Sequence, residues 1–239
     1  MMDLKELKLA GDEPARHWYY RAKAEMMLSH VAELNVGSVM DVGSGSGFFS
    51  RYILEHGKAQ QVTCVDNAYE ADHDEMVDGR PLLFRRSVCT SDADLMLMMD
   101  VLEHIEDDHA FLADYVAIAP ANSHLFITVP AFQFLWSHHD IFLEHYRRYN
   151  LSQLRGLVTQ AGLEIRRAHY FFGTALPIAA AMRLKDKFLP TGPPISSMRS
   201  HGRLMNSFAY NICSVEMALM RLNRLAGLSV VMLARKPGS

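Results

Sequence analysis

The sequence predicts an α/β protein with a seven-strand, doubly wound, mostly parallel sheet and a helical insertion before the last strand. Three observations carry this expectation. Short β-rich runs alternate with helical patterns, some strands are apolar without a break, and about 50 residues separate the last two strand candidates where a simple crossover needs a dozen or so.

Taken in order, a helical pattern over Pro14 to Leu34 precedes a strand from Ser38 to Val42, and a helix over Phe48 to His56 leads to a strand from Gln61 to Asp66. Strands follow at Leu82 to Arg86 and Asp94 to Met99, the second within "DLMLMM", whose methionines read as a buried strand. A helix over Asp107 to Ile118, a strand from His124 to Val129 and a helix over Ser152 to Ala161 come next, with Ser152 as N-cap and Gly162 just past the end. Strands Leu163 to Tyr170 and Leu228 to Arg235 close the sheet. One domain over 1–239 is expected, with 14–34 as a capping helix and 176–227 as the insertion. The middle of the insertion, "LPTGPPISSMRS", is a Pro/Gly/Ser-rich break between two amphipathic stretches.

Composition narrows the function. At 239 residues and 49% hydrophobic content the chain can bury its own core. A net charge of -3 argues against a general nucleic-acid binder, which needs a basic surface. Cys64, Cys89 and Cys213 are odd in number and contain no C-x-x-C pair, so three buried free thiols in a reducing cytoplasm are expected. The opening "MMDLKELKLAGDEPARHW" lacks the apolar core of a signal peptide, and a cytoplasmic location is expected. The insertion is locally basic: Arg183, Lys185, Lys187, Arg199, Arg203, Arg221 and Arg224 face only Asp186 and Glu216. It reads as a lid, a homodimer arm or, through 170–225, a peripheral membrane contact; its charge-free run is too short to cross a bilayer.

The stretch "DVGSGSGFF" places Gly43, Gly45 and Gly47 directly after the first strand. Glycines there let the backbone turn sharply and approach a ligand at the N-terminus of the following helix. The dinucleotide fingerprint G-x-G-x-x-G fails in both frames, because Phe48 and Ser50 stand where the third glycine belongs, and no Gly-Lys-Ser/Thr follows for a P-loop. Asp41 before the glycines and Asp66 at the end of the next strand do fit a nucleoside, since a carboxylate there can accept both ribose hydroxyls.

This order of D-x-G-x-G-x-G, then "VD", then "DADLMLMMDVLEHI" resembles the class I S-adenosylmethionine-dependent methyltransferases, with their Rossmann-like fold. The resemblance runs from about Val36 to Gly162 and again at the final strand. It implies S-adenosylmethionine as cofactor, S-adenosylhomocysteine as product and a cofactor site of Asp41, Gly43, Ser44, Gly45, Gly47, Phe48, Asp66, Asn67, Val88, Asp100 and Val101. "DVLEH" is similar to a segment of small-molecule and quinone-pathway methyltransferases and brings His104 near the site, as a catalytic candidate or a hydrogen-bonded structural histidine. "HWYYRAKAEMM" resembles the opening of a bacterial type 11-like group of unknown substrate, implying that Arg21 pairs with the cofactor's carboxylate while Trp18, Tyr19 and Tyr20 cap the pocket.

The loop "VPAFQFLWSHHDIFLEHYRRYN" resembles a signature of the same group, except that Glu144 stands where glycine is usual. It concentrates His138, His139, Asp140, His145, Arg147, Arg148 and Tyr149 behind Phe132, Phe134 and Trp136. His139 or His145 can serve as general base with Asp140 orienting an imidazole, and Arg147 or Arg148 can clamp an anionic group. Tyr20, Trp136 and Tyr149 complete the expected substrate contacts. The histidine spacing matches no standard metal site, and none is expected. The function expected is methyl transfer to an oxygen or activated carbon of a small molecule, apolar or lipid-linked and anionic. The alternatives are an enzyme that uses the cofactor's charge for cyclisation or rearrangement, and a non-catalytic cofactor-binding accessory protein.

Overall fold

The computed structural model describes residues 17–188 and 203–238. Eight strands form its sheet: β1 (Ser38–Val42), β2 (Gln61–Val65), β3 (His73–Val77), β4 (Arg80–Arg85), β5 (Leu95–Met99), β6 (His124–Pro130), β7 (Glu164–Phe171) and β8 (Ser229–Arg235). Their spatial order is β3-β4-β2-β1-β5-β6-β8-β7. β4, β2, β1, β5 and β6 are mutually parallel, whereas β8 runs antiparallel to both β6 and β7. The chain moves outward from β1 in one direction and then, from β5, in the other. The carboxyl ends of β1 and β5 therefore flank the switch point at which such sheets bind ligands.

Helices cover both faces: α1 (Trp18–Val31), α2 (Phe48–His56), α3 (Asp108–Ile118), the short α4 (His138–Phe142), α5 (Leu151–Gln160), α6 (Leu176–Phe188) and α7 (Arg203–Leu219). β5 shows how one apolar run serves two cores. Leu95, Leu97 and Met99 pack toward α1 and α2, while Met96 and Met98 pack toward α3 and α5, as the two-residue period of a strand requires.

Three expectations are corrected. The sheet has an eighth strand, because Asp78 and Gly79, with φ of 49° and 75°, make a two-residue hairpin turn that folds β3 back on β4; Asp-Gly is among the strongest hairpin signals. The N-cap of α5 is Asn150 rather than Ser152: its side chain accepts from the Gln153 N–H while Gln153 returns the bond to the Asn150 N–H. Cys89 is exposed, whereas Cys64 and Cys213 are buried.

Between β7 and β8 lie α6 and α7, while the break "LPTGPPISSMRS" and the first residues of the 14–34 pattern fall outside the described residues. α7 lies on α1. Tyr210 donates to the Glu25 carboxylate at 2.5 Å, and Asn206 accepts from the Trp18 N–H at 2.8 Å. Three arginines of the locally basic insertion turn toward protein: Arg221 to Glu33, Arg224 to the Ala168 carbonyl and Arg183 to the Leu135 carbonyl. Among the described residues no helix is long and apolar enough to cross a membrane.

Candidate active site

The turn after β1 is built on backbone geometry that side chains resist. Gly43, Gly45 and Gly47 all have positive φ, and a Cβ on Gly43 would sit 2.8 Å from a methyl of Val101. The loop after β5 can therefore press against the glycine turn only because position 43 is bare. Its N–H donates to the Val65 carbonyl at 2.7 Å, tying the turn to β2.

Asp66 follows β2 and is buried. One carboxylate oxygen accepts from the Gly45 N–H at 3.0 Å and the other from the Ala68 N–H at 2.9 Å. A carboxylate has about four acceptor positions, so two remain for the hydroxyls of a ribose. Tyr69 braces the loop, its hydroxyl lying 2.8 Å from Ser44 Oγ and 2.9 Å from the Gly45 carbonyl oxygen. Asp41 accepts from Ser50 Oγ at 2.7 Å inside the core and anchors α2 from within. A bare turn, a helix N-terminus with no side-chain cap and a carboxylate with acceptor positions to spare are groups that an adenosyl moiety can use.

On the β5 side, Asp100 sits at φ 57° and is bound by the fully buried Lys23 ammonium from α1 and by Thr128 Oγ1 at 2.9 Å. Burial works against the Lys23 charge, but Asp100 outweighs it and raises the lysine above its ordinary value. Glu103, in the helical turn Leu102–His104, is buried beside this pair; burial and then the Asp100 charge push its carboxyl well up, and its Oε2 has no hydrogen-bond partner among the described residues.

The β6–α5 loop closes over that turn. Ser137 and Asp140 cap α4 reciprocally. Asp140 is fully buried, accepting from Arg148 Nε at 2.6 Å with His145 Nδ1 at 3.0 Å on the same oxygen. Burial raises its carboxyl, yet the His145 hydrogen bond and the Arg148 charge outweigh this and hold it well below the usual range. An ionised carboxylate only accepts, so Nδ1 carries a hydrogen, and in the neutral tautomer this selects, the lone pair lies on Nε2. The His145 and His104 rings meet edge to face at 4.6 Å, and Glu103, His104 and His145 each offer one ligand atom, all within 4.8 Å of one another. These are ligand types for a divalent cation, with Asp140 orienting one of them from behind. The fold has assembled a set that linear spacing did not show.

The remaining expected residues divide plainly. Gly43, Gly45, Asp66, Asp100 and Val101 converge at the switch point, with His104 and His145 beside them. Arg21 does not join them: it is half exposed, bonded to Glu25 at 3.2 Å and stacked 3.8 Å over the Tyr210 ring. The buried cation from α1 is Lys23. Tyr20 is core, packed on Phe48 at 6.0 Å between centroids. Arg148 is buried between Asp140 and the Ala131 carbonyl. Arg147 pairs with Asp108 at 2.8 Å, and the Tyr149 hydroxyl donates to Asp108 at 2.6 Å. The clamp expected of Arg147 or Arg148 is thus a brace: Arg147, with Tyr149, holds the loop to α3, and Arg148 holds it to Asp140 and the end of β6. His139 and Trp136 are half-buried, Asn67 is exposed, and Val88 packs against the α3 side of the sheet. Sequence reasoning missed Lys23, Tyr69, Thr128 and Asp108; only a lysine in an apolar helical run hinted at the first.

A family model described as a methyltransferase domain matches residues 11–168. The fold is similar to an S-adenosylmethionine-dependent methyltransferase from Mesorhizobium loti, at 14% identity and TM-score 0.56, with 93% of this chain and 100% of that one covered. It is also similar to the Burkholderia thailandensis 1,6-didemethyltoxoflavin-N1-methyltransferase with bound S-adenosylhomocysteine, at 17% identity and TM-score 0.52, covering 90% and 77%. A third likeness is to the (4+2)-cyclase SpnF, at 13% identity and TM-score 0.53, covering 92% and 82%. No curated protein matches the sequence. The chain belongs to the methyltransferase-domain family, with the class I fold whose cofactor is S-adenosylmethionine.

Proposed function

We propose that this protein transfers a methyl group to an oxygen or activated carbon of a small molecule, with His145 as general base. The observation that carries the proposal is the Asp140–His145 pair: a buried carboxylate 3.0 Å from Nδ1 fixes the tautomer that leaves Nε2 able to take a proton. The cofactor supplies a methyl on a sulfonium that departs as a thioether when attacked. Asp66 and the glycine turn hold its adenosyl end. His145 removes the acceptor's proton as the new bond to carbon forms. Phe132 and Phe134, stacked at 5.3 Å, offer an apolar wall. With both loop arginines committed to carboxylates, an acceptor with an apolar or aromatic body is favoured over an anionic one.

Incubation with S-adenosylmethionine and a panel of phenolic, enolic and hydroxylated compounds, read as S-adenosylhomocysteine released, tests this. His145→Gln should lower kcat by about 10²- to 10⁴-fold with little change in cofactor affinity. An unchanged kcat in that variant overturns the base assignment. Product formed without S-adenosylhomocysteine favours the cyclisation or rearrangement reading.

The Glu103, His104 and His145 set supports a second reading, in which a divalent cation held there orients the acceptor oxygen. Chelator-sensitive turnover restored by one divalent metal would favour it over proton removal by His145.

A further inference from the structure

We propose that the outer face of α7 is a self-association seam, through which two copies of this chain pair across a two-fold axis. The proposal is independent of the reaction.

α7 is apolar on two opposite faces. Its inner row, with Tyr210, Cys213 and Met217, packs on the core that includes α1, and Met220 continues it in the following turn. Its outer row, Met205, Phe208, Ile212, Val215 and Leu219, is exposed, Val215 to 73%, and Leu222 in the following turn is exposed to 78%. A helix apolar all round is normally buried all round. Along the helix the outer row advances by steps of three, four, three and four residues. That alternation is the 3.5-residue period of a seam packed against another helix.

Charge selects the occupant. From Met205 to Leu219 the sequence holds one charged residue, Glu216, and it turns inward to the Gly173 N–H at 2.7 Å and the Thr174 hydroxyl at 2.6 Å. Arg221, just beyond, is spent on Glu33 and the Ser29 carbonyl. The seam is therefore flanked by neutral residues such as Ser207, Asn211 and Ser214. A helix that lies on an anionic lipid surface carries a basic polar face, which these residues do not supply. An uncharged face meets its own copy without like-charge repulsion, as an isologous contact requires.

Area agrees. At these exposures the six residues present roughly 700 Å² per copy, above the ~300–600 Å² of the largest patch on a typical monomer. Complete coverage on two copies would bury at most about 1,400 Å², which reaches the size of a standard stable interface.

Sedimentation velocity on the full chain from about 1 to 100 μM tests the seam, with phosphatidylglycerol vesicles in a parallel co-sedimentation arm. A concentration-dependent dimer is expected, together with a monomeric Val215→Glu/Leu219→Glu variant that keeps its circular dichroism and S-adenosylhomocysteine affinity. Should that variant misfold, Phe208→Ser is expected to weaken dimerisation at least about 10-fold with the fold intact. A wild type that stays monomeric, a dimer unaffected by the folded variants, or a monomer that binds the vesicles through this face would each overturn the proposal.

Discussion

The two rims of the switch point are made differently. The β1–β2 rim is mostly backbone: glycine N–H groups, a helix N-terminus and one carboxylate, all within a single strand–helix–strand unit. The β5–β6 rim is side chains: Lys23 reaches Asp100 across 77 positions, Tyr149 reaches Asp108 across 41, and Asp140 gathers Arg148 and His145 in the interior. The first rim can recognise one ligand at little cost to stability. The second buries charges that must stay paired, so its substitutions should damage the fold before they inform on chemistry.

The largest expected break follows. Asp140→Ala leaves the Arg148 guanidinium buried without its partner and should cost about 3–5 kcal/mol, or roughly 10–15 °C in Tm by calorimetry. A small change would mean that the brace is not paired in solution.

A pH scan sharpens the contrast from beneath α1. His30 and His169 lie 2.9 Å apart, Nε2 to Nε2, and burial pushes them down to about 3 and about 4. Because these values fall below the ordinary one, the unfolded chain takes up protons that the folded chain refuses. Stability should be full above about pH 6.5 and fall as pH drops toward 4, by about 1.4 kcal/mol per pH unit for each histidine. Tm should drop by roughly 5–10 °C between pH 7 and 5.5, and His169→Gln should flatten the slope.

On the backbone rim, Gly43→Ala meets both a φ of 67° and the Val101 methyl, and about 2 kcal/mol is expected. Val101→Ala in the same chain should recover part of the loss, measured by a double-mutant denaturation cycle. The smallest effect belongs to Glu144→Gly. Glu144 has a φ of 60°, so a glycine there relieves strain while adding unfolded-state entropy, and the net change should stay within about 1 kcal/mol.

What was legible followed the same division. The β1–β2 rim, to which we assign the cofactor, is local, so glycine spacing and the strand-end Asp66 exposed it to a reader of sequence. The chemistry-bearing loop was visible as a concentration of histidine and arginine, but pairing decides role there. Nothing in "RRY" shows that Arg148 serves Asp140 while His145 shares the same oxygen, or that Arg21 faces Tyr210 and leaves Asp100 to Lys23. β3 was readable in principle from Asp78-Gly79 but is too polar to register as a strand; its five residues include His73, Asp74 and Glu75.

Calorimetric titration of S-adenosylhomocysteine into the wild type, Asp66→Asn and His145→Gln tests most directly the claim that one rim holds the cofactor and the other acts on the acceptor. One site per chain is expected in the wild type, an affinity at least about 10-fold weaker in Asp66→Asn, and no change in His145→Gln. No binding to the wild type, or equal losses in both variants, would contradict it.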